Sequence, residues 1–291
     1  MSFEKSQIVA ATRLFSSGVL SNLAKNGKLD QCSELFSKTD IKFDRASAMT
    51  IGDAFDAAFD LLKTTGARSE YIYKAALTHN VLLGVHSLST ASMVSEFRTG
   101  SSKADVAIFN GTSTVYEIKS ERDNLGRLAG QIDDYRTVFA RVYVICALAH
   151  ADSVMEIAPS DVGVLTLARW NRISTLREAT DRTSQISPRS VLSSLTNAEA
   201  KTILRLCGAE IPSVPNTRLR RELGIEFEKL DPSEVHRAMV TTLKKSRSTL
   251  SLKSVLHKFP KSVMPAVMSL RLKQVERERL IEVLGRPLSS L

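Results

Sequence analysis

The sequence predicts an α/β fold with helical additions at both ends. Two short apolar runs alternate with polar residues around an Asn-Gly pair in the middle of the chain, which is typical of a β-hairpin. A nearly continuous apolar run follows a helical pattern, as in a strand that is buried on both faces. Helical spacing dominates on either side of this region. The 291 residues, 43% of them hydrophobic and 24% charged, are enough for one or two ordinary globular domains.

The first part of the chain is predicted to be helical. Across residues 1–65, apolar residues such as Phe55 and Phe59 recur at helical spacing, and Gly66 is suited to ending the last helix. A further helix is predicted over residues 69–84, where an apolar side runs up to a closing glycine. These helices precede the strand patterns along the chain.

The middle of the chain predicts a sheet with one helical crossover. Alternating or continuous apolar runs predict strands over residues 89–98, 104–109, 114–119, 141–149 and 162–168, and a helix is predicted over residues 125–140. The order is therefore helix, three strands, helix, strand. The last helix and strand have the form of a parallel crossover packed on the sheet.

The strand pattern fades beyond residue 187. Thr196 and Asp231 have the sequence context of helix starts with capping partners, and residues 265–285 predict one long amphipathic helix. A linker is predicted over residues 180–190. The predicted organisation is an N-terminal helical segment over residues 1–66, an α/β core over 67–180, and a basic C-terminal helical region over 187–291.

The net charge of +9 comes from the C-terminal region. Residues 1–186 contain 21 Lys and Arg against 21 Asp and Glu, whereas residues 187–291 contain 19 against 10. A basic region beside a neutral body indicates a polyanionic partner, and nucleic acid is the usual one. The alternative is a solvated basic face that serves solubility.

The sequence also predicts a cytoplasmic protein with no membrane partner. No run approaches eighteen apolar residues, and the N-terminus lacks the pattern of a signal peptide. Cys32, Cys146 and Cys207 are far apart and form no Cys-x-x-Cys pair, which argues against a disulfide framework or a cysteine zinc site.

The predicted hairpin has two different faces. Alternate residues of a strand share a face. The apolar residues should face the core: Val106, Ile108, Tyr116 and Ile118. Asp105, Glu117 and Lys119 then share the opposite face. Two neighbouring carboxylates are unfavourable unless a cation or a proton lies between them.

The length of the hairpin connection decides how these charges meet. Opposed residues of an antiparallel pair point the same way, so pairing the apolar residues requires a connection of odd length. Residues 110–112 (Asn-Gly-Thr) meet this requirement, with Gly111 at a positive φ. Asp105 then lies opposite Glu117 with Lys119 diagonal to it. A five-residue connection would place Asp105 opposite Lys119, and a two-residue one would separate the charges.

An acid, a second acid and a lysine on one patch suit metal-dependent phosphodiester chemistry. Hard carboxylate oxygens suit Mg²⁺ or Mn²⁺, which polarise a phosphodiester and lower the pKa of a bound water. A neighbouring lysine can orient that water or offset developing negative charge. The alternative is an exposed sheet face on which Lys119 forms an ordinary ion pair with the acids.

The motifs of this region resemble the PD-(D/E)XK nuclease superfamily. The predicted αβββαβ order is similar to that superfamily's core, "ADV" places Asp105 at its second-strand Asp, and "EIK" places Glu117 and Lys119 at its (D/E)-x-K. Gln131 and Tyr135 in "QIDDY" resemble the Gln-x-x-x-Tyr of the RecB-like branch. The resemblance implies Asp105 and Glu117 as metal ligands, Lys119 as the residue that positions water, and Gln131 and Tyr135 as residues that orient the metal site or the phosphate.

The resemblance covers about residues 68–148, and the run from Arg68 through Ile145 is most similar to uncharacterised bacterial and prophage proteins assigned to this superfamily. It departs at Ala104, where the superfamily's name implies Pro. Many members have a metal-site Glu in the first helix, which makes Glu70 a third candidate ligand. The alternative for Glu70 is a helix-start residue that follows an N-cap at Ser69.

These observations predict a metal-dependent DNA phosphodiesterase of endonuclease type, with Mg²⁺ or Mn²⁺ as cofactor. DNA is favoured over RNA, and a homodimer is possible. Basic residues in "SVPNTRLRRELGI" are candidates for binding nucleic acid on an exposed helix face: Arg218, Arg220 and Arg221. Two alternatives stay open. One is a nuclease fold that binds without cleaving, and the other is an interaction protein of a phage or mobile element.

Overall fold

The computed structural model describes residues 4–43, 49–64, 68–168 and 172–291. The predicted helix end at Gly66 lies outside this range. The chain forms two compact units, each assembled from separate stretches. The helical unit comprises Met1–His79, Arg169–Arg172 and Ser251–Leu291, and the sheet unit comprises Asn80–Ala168 and Ile173–Leu250. In the described part, no helix has the length and apolar character needed to span a membrane.

The helical unit confirms the helices predicted for the first part of the chain. Its helices are α1 (Lys5–Leu14), α2 (Ser17–Asn26), α3 (Asp30–Ser37), α4 (Ile51–Leu62), α5 (Glu70–Ala76), α12 (Met264–Ser269) and α13 (Gln274–Leu284). A π-helical turn, Leu77–Leu82, continues α5. The Phe15 ring stacks on the Tyr71 ring at 4.6 Å and meets the Phe55 ring edge-on at 5.6 Å, which ties α1, α4 and α5 together.

The prediction of a single long helix over residues 265–285 is wrong. The chain leaves α12 at Leu270, whose backbone is extended, and enters α13 after Lys273. The Lys273 amide donates to the Glu276 carboxylate at 2.7 Å, which caps a second helix start. Amphipathic spacing continues across this break, so the apolar pattern alone did not reveal it.

The sheet unit is built on a six-stranded mixed sheet in the described residues, with strands adjacent in chain order. The strands are β1 (Ser92–Thr99), β2 (Ser102–Phe109), β3 (Ser113–Lys119), β4 (Arg141–Cys146), β5 (Gly163–Leu167) and β6 (Ile173–Arg177). Strands β3, β4 and β5 are parallel neighbours, and the other pairs are antiparallel. The predicted order of helix, three strands, helix, strand is confirmed as an order of elements along the chain.

The hairpin of β2 and β3 has the predicted register. Val106 pairs with Tyr116, and the ladder ends at Phe109 and Ser113. The connection is the three-residue loop 110–112, in which Gly111 has a φ of 105°. A positive φ is costly for residues with a Cβ, so glycine suits this position.

The helices of the sheet unit contribute to a core on one face of the sheet. Because of this core both faces of the hairpin are buried, whereas the sequence predicted a core on one face alone. These helices are α6 (Leu128–Arg136), α7 (Ala151–Ile157), α8 (Pro188–Ser193), α9 (Asn197–Leu206), α10 (Asn216–Glu228) and α11 (Pro232–Ser246). Ala107, Phe109 and Val115 pack in this core with Ile132 and Tyr135 of α6. The hairpin face predicted to carry Asp105, Glu117 and Lys119 is therefore largely interior. The opposite face, predicted as the core, is buried as well.

Strand β6 and helix α7 have no counterpart in the sequence prediction. β6 is an edge strand whose three central residues are exposed, so it lacks the apolar alternation of a half-buried strand. α7 has only seven residues and follows β4 almost directly. Short elements of this kind are stabilised by packing more than by a pattern of their own.

The segment predicted as a linker, residues 180–190, is anchored by backbone hydrogen bonds. The Arg182 amide donates to the Ala140 carbonyl at 2.8 Å, and the Ser187 amide donates to the Thr137 carbonyl at 2.7 Å. Ile186 is buried between them. The segment therefore lies against the end of α6 and the start of β4, and it leads directly into α8.

Candidate active site

The carboxylate of Glu117 is the centre of a buried polar network. Its Oε1 accepts hydrogen bonds from Lys119 Nζ at 2.8 Å and from Gln131 Nε2 at 2.6 Å. Its Oε2 accepts from the Tyr135 hydroxyl at 2.7 Å. Lys119 also donates to Gln131 Oε1 at 2.9 Å, which closes a ring of three side chains. Glu117 is 2% exposed and Lys119 is 5% exposed, so the network lies in the interior.

The network forms where a pair of polar side chains on β3 faces a pair of polar side chains on α6. Glu117 and Lys119 are two apart on β3 and so share a sheet face. Gln131 and Tyr135 are four apart on α6 and so share a helix face. Because α6 packs on this face of the sheet, the two pairs point at each other. The sequence prediction joined these four residues, and the structure brings them into direct contact.

Asp105 lies at an interruption of the sheet ladder beside this network. Continuing the hairpin register places it opposite Glu117, as predicted, and its Oδ2 accepts a hydrogen bond from the Ile118 backbone amide at 2.7 Å. On the other side, the register of β1 places Glu96 opposite Asp105. Glu96 has a φ of 56°, which is uncommon for a residue with a Cβ and often marks a functional site. Its exposed carboxylate pairs with Lys103 at 3.0 Å.

The electrostatics of the network keep Tyr135 protonated. Burial raises the pKa of Tyr135, and the charge of Glu117, its hydrogen bond and the charge of Asp105 raise it further. The hydroxyl is therefore a fixed donor to Glu117.

Asp105 and Glu117 are the residues that could hold a divalent metal ion such as Mg²⁺ or Mn²⁺. Asp105 and Glu117 supply hard oxygens from opposed positions, and Mg²⁺ typically binds one or two carboxylates and keeps several waters. In the described residues, no group of three or more His, Cys, Asp and Glu side chains is arranged to hold a metal. A further ligand would thus be water, a backbone oxygen or the substrate.

Glu70, the third predicted ligand, belongs to the helical unit. It is the first residue of α5, and its Oε1 lies 3.3 Å from Lys74 Nζ. Ser69 occupies the N-cap position of this helix, but its side chain makes no capping hydrogen bond. The alternative given for Glu70, a helix-start residue that follows an N-cap at Ser69, matches this position, and a carboxylate there suits the helix dipole.

The network and helices α6 to α11 lie within one segment that matches a known family. The family model described as Bacteriophage P4 protein cII matches residues 63–263. The chain belongs to this family. The matched segment of the cII family contains every site residue predicted from the sequence.

Two comparisons with individual proteins accompany the family match. The chain is 28% identical over 182 residues to Protein cII of Enterobacteria phage P4, which covers 60% of this chain and 63% of that protein. The SPO1766 protein of unknown function from Silicibacter pomeroyi is 18% identical, with a TM-score of 0.29, over 40% of this chain and 80% of that one. That score is too low to carry an argument about fold.

The three arginines predicted to bind nucleic acid are not equivalent. Arg218 and Arg221 are exposed on α10. Arg220 is half-buried, and it donates to the Leu192 carbonyl at 2.5 Å and to Asn197 Oδ1 at 3.3 Å. Burial lowers the pKa of Arg220. The expectation that Arg220 is exposed is therefore wrong, because its guanidinium joins α10 to α8 and to the start of α9.

One basic residue near the network was missed in the sequence prediction. Arg127 is the N-cap of α6 and is exposed, one helical turn before Gln131. The Gln131 amide donates to the Arg127 carbonyl at 3.1 Å, which confirms this spacing. The signal was present in "RLAGQIDDY", where Arg, Gln and Tyr recur every four residues.

Proposed function

We propose that the chain is a metal-dependent DNA phosphodiesterase of endonuclease type, with its active site at Asp105 and the Glu117 network. The single observation that carries the proposal is the network itself. Glu117 is held at both oxygens by Lys119, Gln131 and Tyr135, beside a second carboxylate at an interrupted position of the sheet. Such an arrangement is more specific than the Asp and Glu-x-Lys pattern alone, because three elements, β2, β3 and α6, contribute to it.

Each side chain has a role that follows from its contacts. Asp105 and Glu117 would hold Mg²⁺ or Mn²⁺, which when bound supplies an activated water and polarises the phosphodiester. Gln131 and Tyr135 fix the orientation of the Glu117 carboxylate, since both are donors with defined positions. Lys119 would position the attacking water or stabilise negative charge that develops on the phosphate.

The burial pattern indicates the side from which substrate approaches. Glu117, Lys119 and Tyr135 are buried, whereas Asp105 and Gln131 are half-buried. A phosphodiester would therefore reach the network past Asp105 and Gln131. DNA is proposed as the substrate because the superfamily that the motifs resemble acts on it.

A binding module without cleavage is the second candidate, and one observation favours it. Lys119 already compensates the charge of Glu117 through a 2.8 Å contact, so the network is satisfied without a metal. A protein that binds nucleic acid or another protein without cleavage would need only such a network with no metal ion.

The experiment that separates these candidates is a cleavage assay with Mg²⁺ or Mn²⁺ on labelled duplex, single-stranded and branched DNA. We expect the wild-type protein to cleave at least one of these, and Glu117→Gln and Lys119→Met to lose cleavage while both remain folded. Glu156→Gln is the matched control, because Glu156 is an exposed acid on α7. Metal binding without cleavage of any substrate would support the binding module instead.

A further inference from the structure

Arg127 continues the network face of α6 out to solvent. Tyr135 is fully buried, Gln131 is half-buried and Arg127 is exposed, and these three residues follow one another at intervals of one helical turn. The side from which substrate would approach is thus marked by an arginine. In the part of the chain that the structure describes, the Arg127 guanidinium forms no salt bridge, so its charge is available to a ligand.

The charge of the proposed site calls for such a group. Asp105 and Glu117 are two carboxylates and Lys119 is one ammonium, so their formal charges sum to a negative site. A phosphodiester is also an anion and is repelled by it at short range. A bound divalent ion would offset this repulsion at the scissile phosphate. The phosphates on either side of the scissile one need a separate positive group.

Hydrogen bonds within the segment before α6 hold the backbone that leads to Arg127. The Ser120 amide and hydroxyl donate to Asp123 Oδ2 at 2.7 and 2.6 Å, and the Gly126 amide donates to Asn124 Oδ1 at 2.6 Å. These turns connect the end of β3 directly to the start of α6. Arg127 therefore has a defined backbone position, which lowers the conformational entropy that the loop loses on binding.

We propose that Arg127 is a positioning residue that binds a DNA phosphate next to the scissile one. This inference rests on the proposed function, because it assigns Arg127 to the substrate of the same site. The guanidinium suits this task, since it remains charged and can donate two parallel hydrogen bonds to a phosphate. Arg127 would act through substrate placement and would not contact the reacting atoms.

The test compares the full-length wild-type chain with Arg127→Ala, Arg127→Lys and Arg205→Ala. Arg205 is the control because it is an exposed arginine on α9. Fluorescence anisotropy is measured on a labelled DNA that has a duplex and a single-stranded arm, at several salt concentrations, with Ca²⁺ in place of Mg²⁺. We expect Arg127→Ala to weaken binding about tenfold, typical of losing one charge-assisted hydrogen bond. The slope of log K against log salt should flatten by about 0.9 on duplex or 0.7 on a single strand.

The lysine variant and the kinetics separate positioning from structural damage. Arg127→Lys should keep the wild-type salt slope, because a lysine can still neutralise a phosphate. In a cleavage assay with Mg²⁺, Arg127→Ala should raise KM more than it lowers kcat. An Arg127→Ala protein with the affinity and salt slope of wild type and of Arg205→Ala would overturn the inference even where cleavage is observed. Absence of cleavage by the wild-type protein would instead reject the proposed function. The anisotropy measurement would then decide only whether Arg127 binds a DNA phosphate.

Discussion

Removing the side chain of Glu117 should destabilise the sheet unit strongly. Glu117→Ala deletes three hydrogen bonds and leaves the Lys119 ammonium buried with only the Gln131 oxygen as a partner. Breaking a buried ion pair by removing one partner costs about 3–5 kcal/mol. For a domain of this size that is a fall in melting temperature on the order of 10 °C.

A double-mutant cycle with Lys119 measures how much of this destabilisation comes from the interaction between Glu117 and Lys119. Glu117→Gln keeps the shape and one acceptor oxygen, so its cost should be smaller, about 2–3 kcal/mol. Lys119→Met removes the opposite charge and keeps most of the side-chain volume. Combining the two should cost less than the sum of the single changes, with a coupling free energy of about 1–3 kcal/mol.

The assay is urea unfolding followed by circular dichroism, without metal, on wild type, the two single variants, the double variant and Glu117→Ala. The control is Glu156→Gln, which changes an exposed acid. A Glu117→Ala protein within about 1 kcal/mol of wild type would refute the reasoning, because the network would then contribute little to the folded state.

Three further predictions follow. Tyr135→Phe should reduce cleavage and lower stability by about 1–3 kcal/mol, measured by activity and urea unfolding, because one Glu117 oxygen loses its buried donor. Burial acts to raise the pKa of Glu199, but hydrogen bonds led by the one from Arg247 lower it to about 2. The ionised Glu199 should therefore contribute about 3 kcal/mol of stability above pH 5, and this contribution should be lost as the pH falls towards 2. Glu199→Gln should show a smaller loss of stability in acid unfolding. Replacing Arg218 and Arg221 together by Ala should flatten the salt slope of duplex binding by about 1.8 if both contact phosphates, and an unchanged slope would limit their role to solubility.

The candidate site residues were named through the resemblance of short motifs to a known superfamily, and local periodicity added which of them share a face. Parity on β3 and the four-residue spacing on α6 fixed which side chains share a face, and the odd hairpin connection fixed the register that sets Asp105 opposite Glu117. What local rules could not give was the depth of the network. Which face of β3 is covered depends on where α6 to α11 pack, and that is a property of the tertiary fold.

The elements missed or misjudged share a similar cause. β6 is held by pairing with β5, and segment 180–190 is held by backbone hydrogen bonds to Thr137 and Ala140, so neither carries an apolar pattern that stands out. Arg220 illustrates the same limit for a single residue. Its position in a basic run favours an exposed side chain, while its contacts with the Leu192 carbonyl and Asn197 are visible only once α8, α9 and α10 are assembled.

The proposed metal site is tested most directly by a crystal of the wild-type protein soaked in Mn²⁺, examined by anomalous diffraction. The proposal predicts a peak about 2.0–2.3 Å from carboxylate oxygens of both Asp105 and Glu117. Gln131 and Tyr135 should remain bound to Glu117, and the peak should be absent from a soaked Glu117→Gln crystal. A Mn²⁺-soaked wild-type crystal with no peak between the two carboxylates, and with the Lys119–Glu117 contact unchanged, would contradict it.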